Sequence, residues 1–335
     1  MMDERSLNPE IKFGRGILIE ASKEWGDYVL ITMPEIFKSA EKMLLKKPAY
    51  IHFANTMELS EIENALRKIP EAETIVGIGG GMAIDFAKFV GWKRGKEPIL
   101  VPSAVSVDAS VCKSIAVRED FRVRYIGRAI ASVILCDFDL IQSAPLRINR
   151  AGIGDILSIH SALFDWKLAF ERGKAEYNEA LAKKAKDLVD ELEEMADEIK
   201  AGRERGLRWL MEAYVLENSI CLRNGNSRPE EGSEHFFAYN VEHKTRRGYI
   251  HGELVCLGVL LMSRLQENNV RKVERILEKS GVRYYPKELN LGMNELKQCL
   301  LSLRGFSEEE KLPYSIINEK NLEEQTVEKI YYGLS

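Results

Sequence analysis

The sequence predicts an α/β protein, with an N-terminal parallel, doubly wound sheet and an all-helical C-terminal domain. Three observations carry this. Over the first 150 residues short apolar runs alternate with amphipathic ones, the signature of repeated βαβ units. A glycine cluster, Gly77-Ile-Gly79-Gly80-Gly81, stands between an apolar run and a helical pattern. Beyond Pro145 apolar residues recur at helical spacing, and strand signals stop. A chain of 335 residues is long enough to divide into two domains. They are expected at 1–144 and 145–335.

Tyr28–Thr32 (YVLIT) reads as the first strand, and Pro34–Lys46 as a helix with proline in its first turn. Tyr50–Ala54 is a second strand and Leu59–Lys68 an amphipathic helix. Thr74–Ile78 leads through the glycines into a helix over Met82–Trp92. Ile99–Val101 and Ser132–Cys136 are further strands. Between them Ile115–Val117 and Arg122–Ile126 read as a β-hairpin flap. In the C-terminal half Glu179–Lys200 carries Leu181, Leu188, Leu192, Met195 and Ile199 at helical spacing, a core helix with one solvated face. Gly206–Leu222 reads as another core helix. The tail from Arg271 holds two or three more around Pro286 and Pro313.

Composition excludes some functions. A net charge of −4 offers no strongly basic face, so nucleic acid is not an expected partner. Five scattered cysteines without a CxxC pair indicate neither a disulfide framework nor a zinc ribbon, and fit a reducing cytoplasm. The polar start MMDERSLNPE is not a signal peptide. No apolar run approaches the roughly 20 residues of a membrane span. A cytoplasmic enzyme is expected; whether it forms a homo-oligomer is left open.

The chemistry concentrates in Ser227–Glu253, where His235 and His251 each open an apolar run and a basic loop, Lys244–Gly248, separates them. Imidazole is the commonest metal ligand at neutral pH. Upstream, Arg150-Ala-Gly-Ile-Gly-Asp155 sets one carboxylate among glycines and apolar residues, on a helix expected to be buried. A buried carboxylate needs a cation or hydrogen bonds. A helix cap, a buried ion pair or a solvated histidine would also satisfy these patterns. Together, Asp155, His235 and His251 give three ligands with an open position, the arrangement of a catalytic metal, Zn²⁺ or Fe²⁺. In the other half, glycines before a helix start suit a phosphate. The small residues Ser103, Ser106, Ser110 and Cys112 after a strand suit close contact with a cofactor. Asp108 could meet a substrate hydroxyl and Lys113 an anion. An ordinary loop with local Asp and Ser turns is the plain alternative. His52, His160 and His243 read as structural or solvated.

These motifs resemble those of the glycerol-1-phosphate dehydrogenases, relatives of glycerol dehydrogenase, iron-dependent alcohol dehydrogenases and 3-dehydroquinate synthase. The resemblance lies in GIGGGMAIDFAK, VPSAVSVDAS, GIGD and SRPEEGSEH…HGE, in the same order over nearly the whole chain. It implies a Rossmann-like N-terminal domain, a helical dehydroquinate-synthase-like domain and an active site in the cleft between them. It implies reduction of dihydroxyacetone phosphate by NADH or NADPH to sn-glycerol 1-phosphate, for archaeal-type ether phospholipids. By motif, Asp155, His235 and His251 would bind Zn²⁺. Gly79, Gly80, Gly81, Met82 and Asp85 would lie along the cofactor phosphates, with Ser103, Ser106 and Cys112 near the dinucleotide. Asp108 would contact substrate and count with the metal ligands as catalytic. Three features depart from the family. Tyr239 stands where many relatives carry a second histidine that touches substrate. Ser103 replaces a common threonine. The loop Asp108–Lys113 is more like that of dehydroquinate synthases, where a lysine serves the substrate's anionic end. Lys113 and Arg228 are the candidates for the substrate phosphate. The rival readings are a glycerol or polyol dehydrogenase, a dehydroquinate-synthase-like lyase with transient NAD use, and a non-catalytic binding protein.

Overall fold

A computed structural model describes residues 9–334. The chain falls into two compact units that divide between Asn149 and Arg150.

The first unit is built on a six-stranded, wholly parallel sheet: β1 (Glu10–Gly14), β2 (Tyr28–Thr32), β3 (Tyr50–Phe53), β4 (Thr74–Gly79), β5 (Ile99–Pro102) and β8 (Val133–Asp137), in the order β1-β8-β5-β4-β2-β3. The crossovers carry α1 (Ile17–Glu24), α2 (Pro34–Ala40), α3 (Leu59–Leu66) and α4 (Gly81–Arg94). All five β2 residues are buried, because both faces of a parallel sheet are covered. Leu18, Trp25, Tyr28, Leu30, Val76, Ile78 and Val101 join in one cluster. The chain runs outward from β2 to β3, then returns to lay β4 on the other side of β2. The order therefore reverses between the carboxyl ends of β2 and β4, where open α/β sheets bind ligands.

Three local features differ from expectation. β1 and α1 are not legible in the sequence: EIKFG mixes charge with apolar residues, as an edge strand paired only to β8 allows. α2 stops at Ala40 and gives one 3₁₀ turn, Glu41–Met43, well before Lys46. There Ser22 Oγ takes the Leu45 N–H and the Tyr28 hydroxyl donates to the Lys46 carbonyl, drawing the chain out of helix. The hairpin, β6 (Ser114–Glu119) and β7 (Arg122–Arg128), is longer than expected. Asp120 and Phe121 at its tip both have positive φ, 50° and 60°, the requirement of a two-residue type I′ turn. Glu58 accepts both of their N–H groups, which holds this conformation without glycine.

After α5 (Phe138–Ser143), α6 (Leu146–Ala151) spans the division. The second unit is helical: α7 (Ile153–Glu171), α8 (Glu179–Lys200), α9 (Glu204–Asn224), α10 (Ser233–Thr245), α11 (His251–Gln266), α12 (Val270–Ser280), α13 (Met293–Glu309), α14 (Ile316–Glu319) and α15 (Glu324–Tyr331). Most of α7, α10 and α11 is buried. That explains their weak amphipathic pattern, since a helix apolar on every side is a core helix. Among the described residues no helix is long and apolar enough to cross a membrane.

Candidate functional site

The three expected metal ligands come together. Asp155, His235 and His251 each offer an atom, and these atoms lie within 4.8 Å of one another. Each ligand sits in the first turn of its own helix, α7, α10 or α11, so three helix N-termini converge. Their partial positive charge is answered by first-turn acids, Asp155, Glu234 and Glu253. Glycines permit the convergence. A methyl on Gly154 would stand 2.5 Å from Gly252 Cα, and one on Gly258 2.6 Å from the Glu234 carbonyl oxygen. Backbone meets backbone beside each ligand.

Asp155 is 2% exposed and His235 3%, while the His251 side chain is 27% exposed. His235 Nδ1 lies 3.0 Å from Glu234 Oε1. A carboxylate only accepts, so Nδ1 carries the proton and Nε2 is left with its lone pair outward. Glu234, fully buried, also accepts from the Gly232 N–H (2.6 Å) and the Ser161 hydroxyl (2.7 Å). Burial pushes the His235 imidazole down, but the hydrogen bond and charge of Glu234 outweigh it, and the group is pushed up to about 9.

The donor set fits a divalent metal. Tetrahedral donors about 2.0–2.1 Å from zinc stand about 3.4 Å apart. His251 Nε2 and Asp155 Oδ1 are 3.5 Å apart, too long for a hydrogen bond. One carboxylate and two imidazoles suit Zn²⁺ or Fe²⁺. Sequence reasoning missed two neighbours. Glu234 was legible only as the residue before a histidine. Glu230 lies 3.6 Å from His235 Nε2 and also groups with Glu217 and Cys221.

Tyr239 lies one turn beyond His235, ring centroids 6.0 Å apart, and donates to Glu231 Oε1 at 2.7 Å. Arg228 is placed differently from what a phosphate ligand needs. It is 6% exposed, its Nη2 donates to the carbonyls of Asp165 and Tyr314, and Nε and Nη1 are enclosed without a protein partner. His160 bonds to the Asn268 carbonyl, His243 stacks on Phe306 and His52 packs on Phe86.

In the first unit the glycine turn and the small-residue loop lie side by side at the carboxyl ends of β4 and β5. Gly79 is in register with Pro102, and the Ser103 N–H donates to the Gly79 carbonyl at 2.9 Å. A methyl on Gly79 would strike Ala83 Cβ at 2.7 Å, whereas Gly80 has open space on that side. Gly79 thus seats α4 against the sheet. Gly80, Gly81 and Met82 lead into α4 with unpaired helix-start N–H groups, the setting for a phosphate.

Asp85 makes a contact that its sequence setting does not announce. Its carboxylate is buried in an ion pair with Lys88 at 2.7 Å. Lys88, 1% exposed, also donates to the carbonyls of Ala109, Cys112 and Ser114. One buried ammonium therefore shapes the loop that bears Asp108, Ser110, Cys112 and Lys113. Burial resists charge on both groups, and Asp85 holds the Lys88 proton above the ordinary lysine value. Burial pushes the Cys112 thiol up to about 12, so it stays protonated. Ser106, Asp108 and Lys113 are half-buried, and burial pushes the Lys113 ammonium down, with Arg128 adding to it.

Comparison with known proteins places these features. Residues 10–145 match the family model described as iron-containing alcohol dehydrogenase. A protein of Hyperthermus butylicus named glycerol-1-phosphate dehydrogenase (NAD(P)+) is 31% identical over 76% of this chain and 72% of its own. One of Sulfolobus acidocaldarius with the same name is 30% identical over 90% and 88%. Among solved structures, a probable glycerol dehydrogenase from Sinorhizobium meliloti shares the fold with a TM-score of 0.75, at 20% identity over 98% of this chain and 97% of its own.

Proposed function

The chain belongs to the glycerol-1-phosphate dehydrogenase family, and from that membership we propose that it reduces dihydroxyacetone phosphate to sn-glycerol 1-phosphate with NADH or NADPH. The product would enter archaeal-type ether phospholipid synthesis, and the enzyme would work in the cytoplasm. The observation that carries the reading is the grouping of Asp155, His235 and His251, the first two buried and His251 partly open. When bound, zinc or iron supplies Lewis-acid polarisation of a carbonyl, and the nicotinamide supplies hydride.

The residues have separable tasks. Asp155, His235 and His251 would hold the metal, and Glu234 keeps His235 in the tautomer that presents Nε2. Burial of Asp155 and His235 excludes water and strengthens local electrostatics. Gly80, Gly81 and Met82 would take the cofactor phosphates at the start of α4. Ser103 and Ser106 would flank the dinucleotide. Asp108 would accept a substrate hydroxyl. Lys113 would meet the phosphate, because Arg228 is engaged with backbone carbonyls. Tyr239 would touch substrate with its oxygen as acceptor, its proton being given to Glu231.

The test is loss of NADPH absorbance with zinc-loaded protein and dihydroxyacetone phosphate. Chelator-sensitive oxidation giving sn-glycerol 1-phosphate is the expected result. Turnover of unphosphorylated polyols alone would move the protein to the glycerol dehydrogenase branch. Silence with both would favour a lyase that uses Lys113.

A further inference from the structure

We propose that Asp165 is a positioning residue of the metal centre, which ties the segment around Ile316 to ligand His235. Asp165 is fully buried on α7, the helix that also supplies Asp155. Its Oδ2 accepts the Ser233 N–H at 2.8 Å and its Oδ1 the Ile316 N–H at 2.7 Å. Ser233 and Ile316 are the first residues of α10 and α14. Both N–H groups therefore lack a partner within their own helices. One carboxylate thus closes two helix starts.

Ser233 stands two residues before His235. One turn before Asp165 on α7, Ser161 donates to Glu234, which holds His235 Nδ1. α7 therefore carries one ligand and two attachments to the start of the helix bearing another. Gly232 leaves the room required, since a methyl there would come within 2.9 Å of Asp165 Oδ2 and of Ala162 Cα. Arg228 repeats the link through backbone, donating to the carbonyls of Asp165 and Tyr314. Asp165 is not among the gathered ligand atoms, so its part is to fix where His235 stands.

The inference rests on the reading of Asp155, His235 and His251 as metal ligands. The test is binding of Zn²⁺ and Co²⁺ to Asp165→Asn by competition with a chromophoric chelator, beside the wild type. An amide has one oxygen for two N–H donors, so one attachment must break. The expected result is about tenfold or greater loss of affinity, an altered Co²⁺ visible spectrum, and a smaller gain in Tm on saturation with zinc. Arg172→Ala is the control. It removes an exposed pair with Glu319, which joins the residue just after α7 to α14, and should leave metal binding unchanged. Should Asp165→Asn fail to fold, Ile316→Pro decides. Proline is accepted at a first helical position, but it removes that N–H together with part of the buried Ile316 side chain. Ile316→Val, which trims the side chain and keeps the N–H, is its control, and metal affinity should fall in the proline variant alone. A folded Asp165→Asn with wild-type affinity and spectrum, or an Ile316→Pro with wild-type affinity, overturns the proposal. A wild-type protein that binds neither ion sinks the ligand reading instead.

Discussion

Gly154 and Gly252 meet backbone to backbone, and they are the chain neighbours of Asp155 and His251, two of the three candidate metal ligands. A methyl built on Gly154 lies 2.5 Å from Gly252 Cα and 2.6 Å from its carbonyl oxygen. Neither atom belongs to a side chain that can swing away. Gly154→Ala must therefore push α7 from α11 and separate Asp155 from His251. Overpacking of this kind costs about 1–3 kcal/mol, sometimes more. The expected outcome is a lower Tm together with substoichiometric zinc in the purified protein. A variant with wild-type zinc content would show that the helices can slide without loss of the site.

The tautomer of His235 depends on Glu234, and so does its proton affinity. Without metal the Glu234 hydrogen bond and charge outweigh burial and push the imidazole up to about 9, above the ordinary value of about 6.5. A raised value means that this group stabilises the metal-free fold fully below about pH 6.5. The contribution is lost as pH rises through about 9. Metal binding has the opposite slope, because the proton must leave Nε2. Each pH unit below about 9 should weaken apparent affinity by up to about tenfold. Glu234→Gln should flatten that slope and lower affinity about 10–100-fold at high pH. Competition titrations between about pH 6 and 9 check both. An unchanged slope in the variant would remove Glu234 from control of the proton.

Lys88 should matter more than its place in an apolar helix suggests. Lys88→Met leaves Asp85 buried without its cation and three loop carbonyls without a donor. Breaking a buried pair by removing one partner costs about 3–5 kcal/mol. The variant should unfold at lower urea, and limited proteolysis should cut between Asp108 and Ser114 first. The double variant Asp85→Asn/Lys88→Met should recover part of the stability, since no lone charge is left inside. Equal stability of single and double variants would show that the loop carbonyls, not the ion pair, dominate.

These particular residues show what a sequence can carry. The grouping of Asp155, His235 and His251 was foreseen because the apolar, glycine-flanked settings of the three were read together with the family resemblance; each setting alone fits a cap or an ion pair equally well. The sheet was legible because its strands are apolar runs between helical patterns. β1 was not, because an edge strand paired on one side needs no apolar run. Glu234, Asp165 and Lys88 were not legible either, because a charged residue in a helix pattern ordinarily faces water. Their partners, Ser161, Ile316 and the carbonyl of Ser114, are distant in sequence, and only tertiary packing reveals them. The same holds for Arg228, whose partner carbonyls lie on α7 and just before α14.

Cofactor choice follows from the end of β2. An acidic residue there would bind the adenosine ribose and repel a 2′-phosphate. β2 ends at Thr32, Met33 is extended, and Pro34 opens α2. The first acid is Glu35, already inside that helix. No carboxylate therefore stands at the strand end where a ribose hydroxyl would be read. NADPH should be accepted, with kcat/KM within about tenfold of that for NADH, a difference of about 1.4 kcal/mol. Met33→Asp places a carboxylate at this position without touching α4 or the metal ligands. Like charges brought together cost enough that the variant should lose about tenfold or more with NADPH while keeping NADH activity. Steady-state kinetics with both cofactors decide. Strong NADH activity with none for NADPH in the wild type would mean that another acid reads the ribose. Equal losses with both cofactors in Met33→Asp would mean that β2 does not face the adenosine.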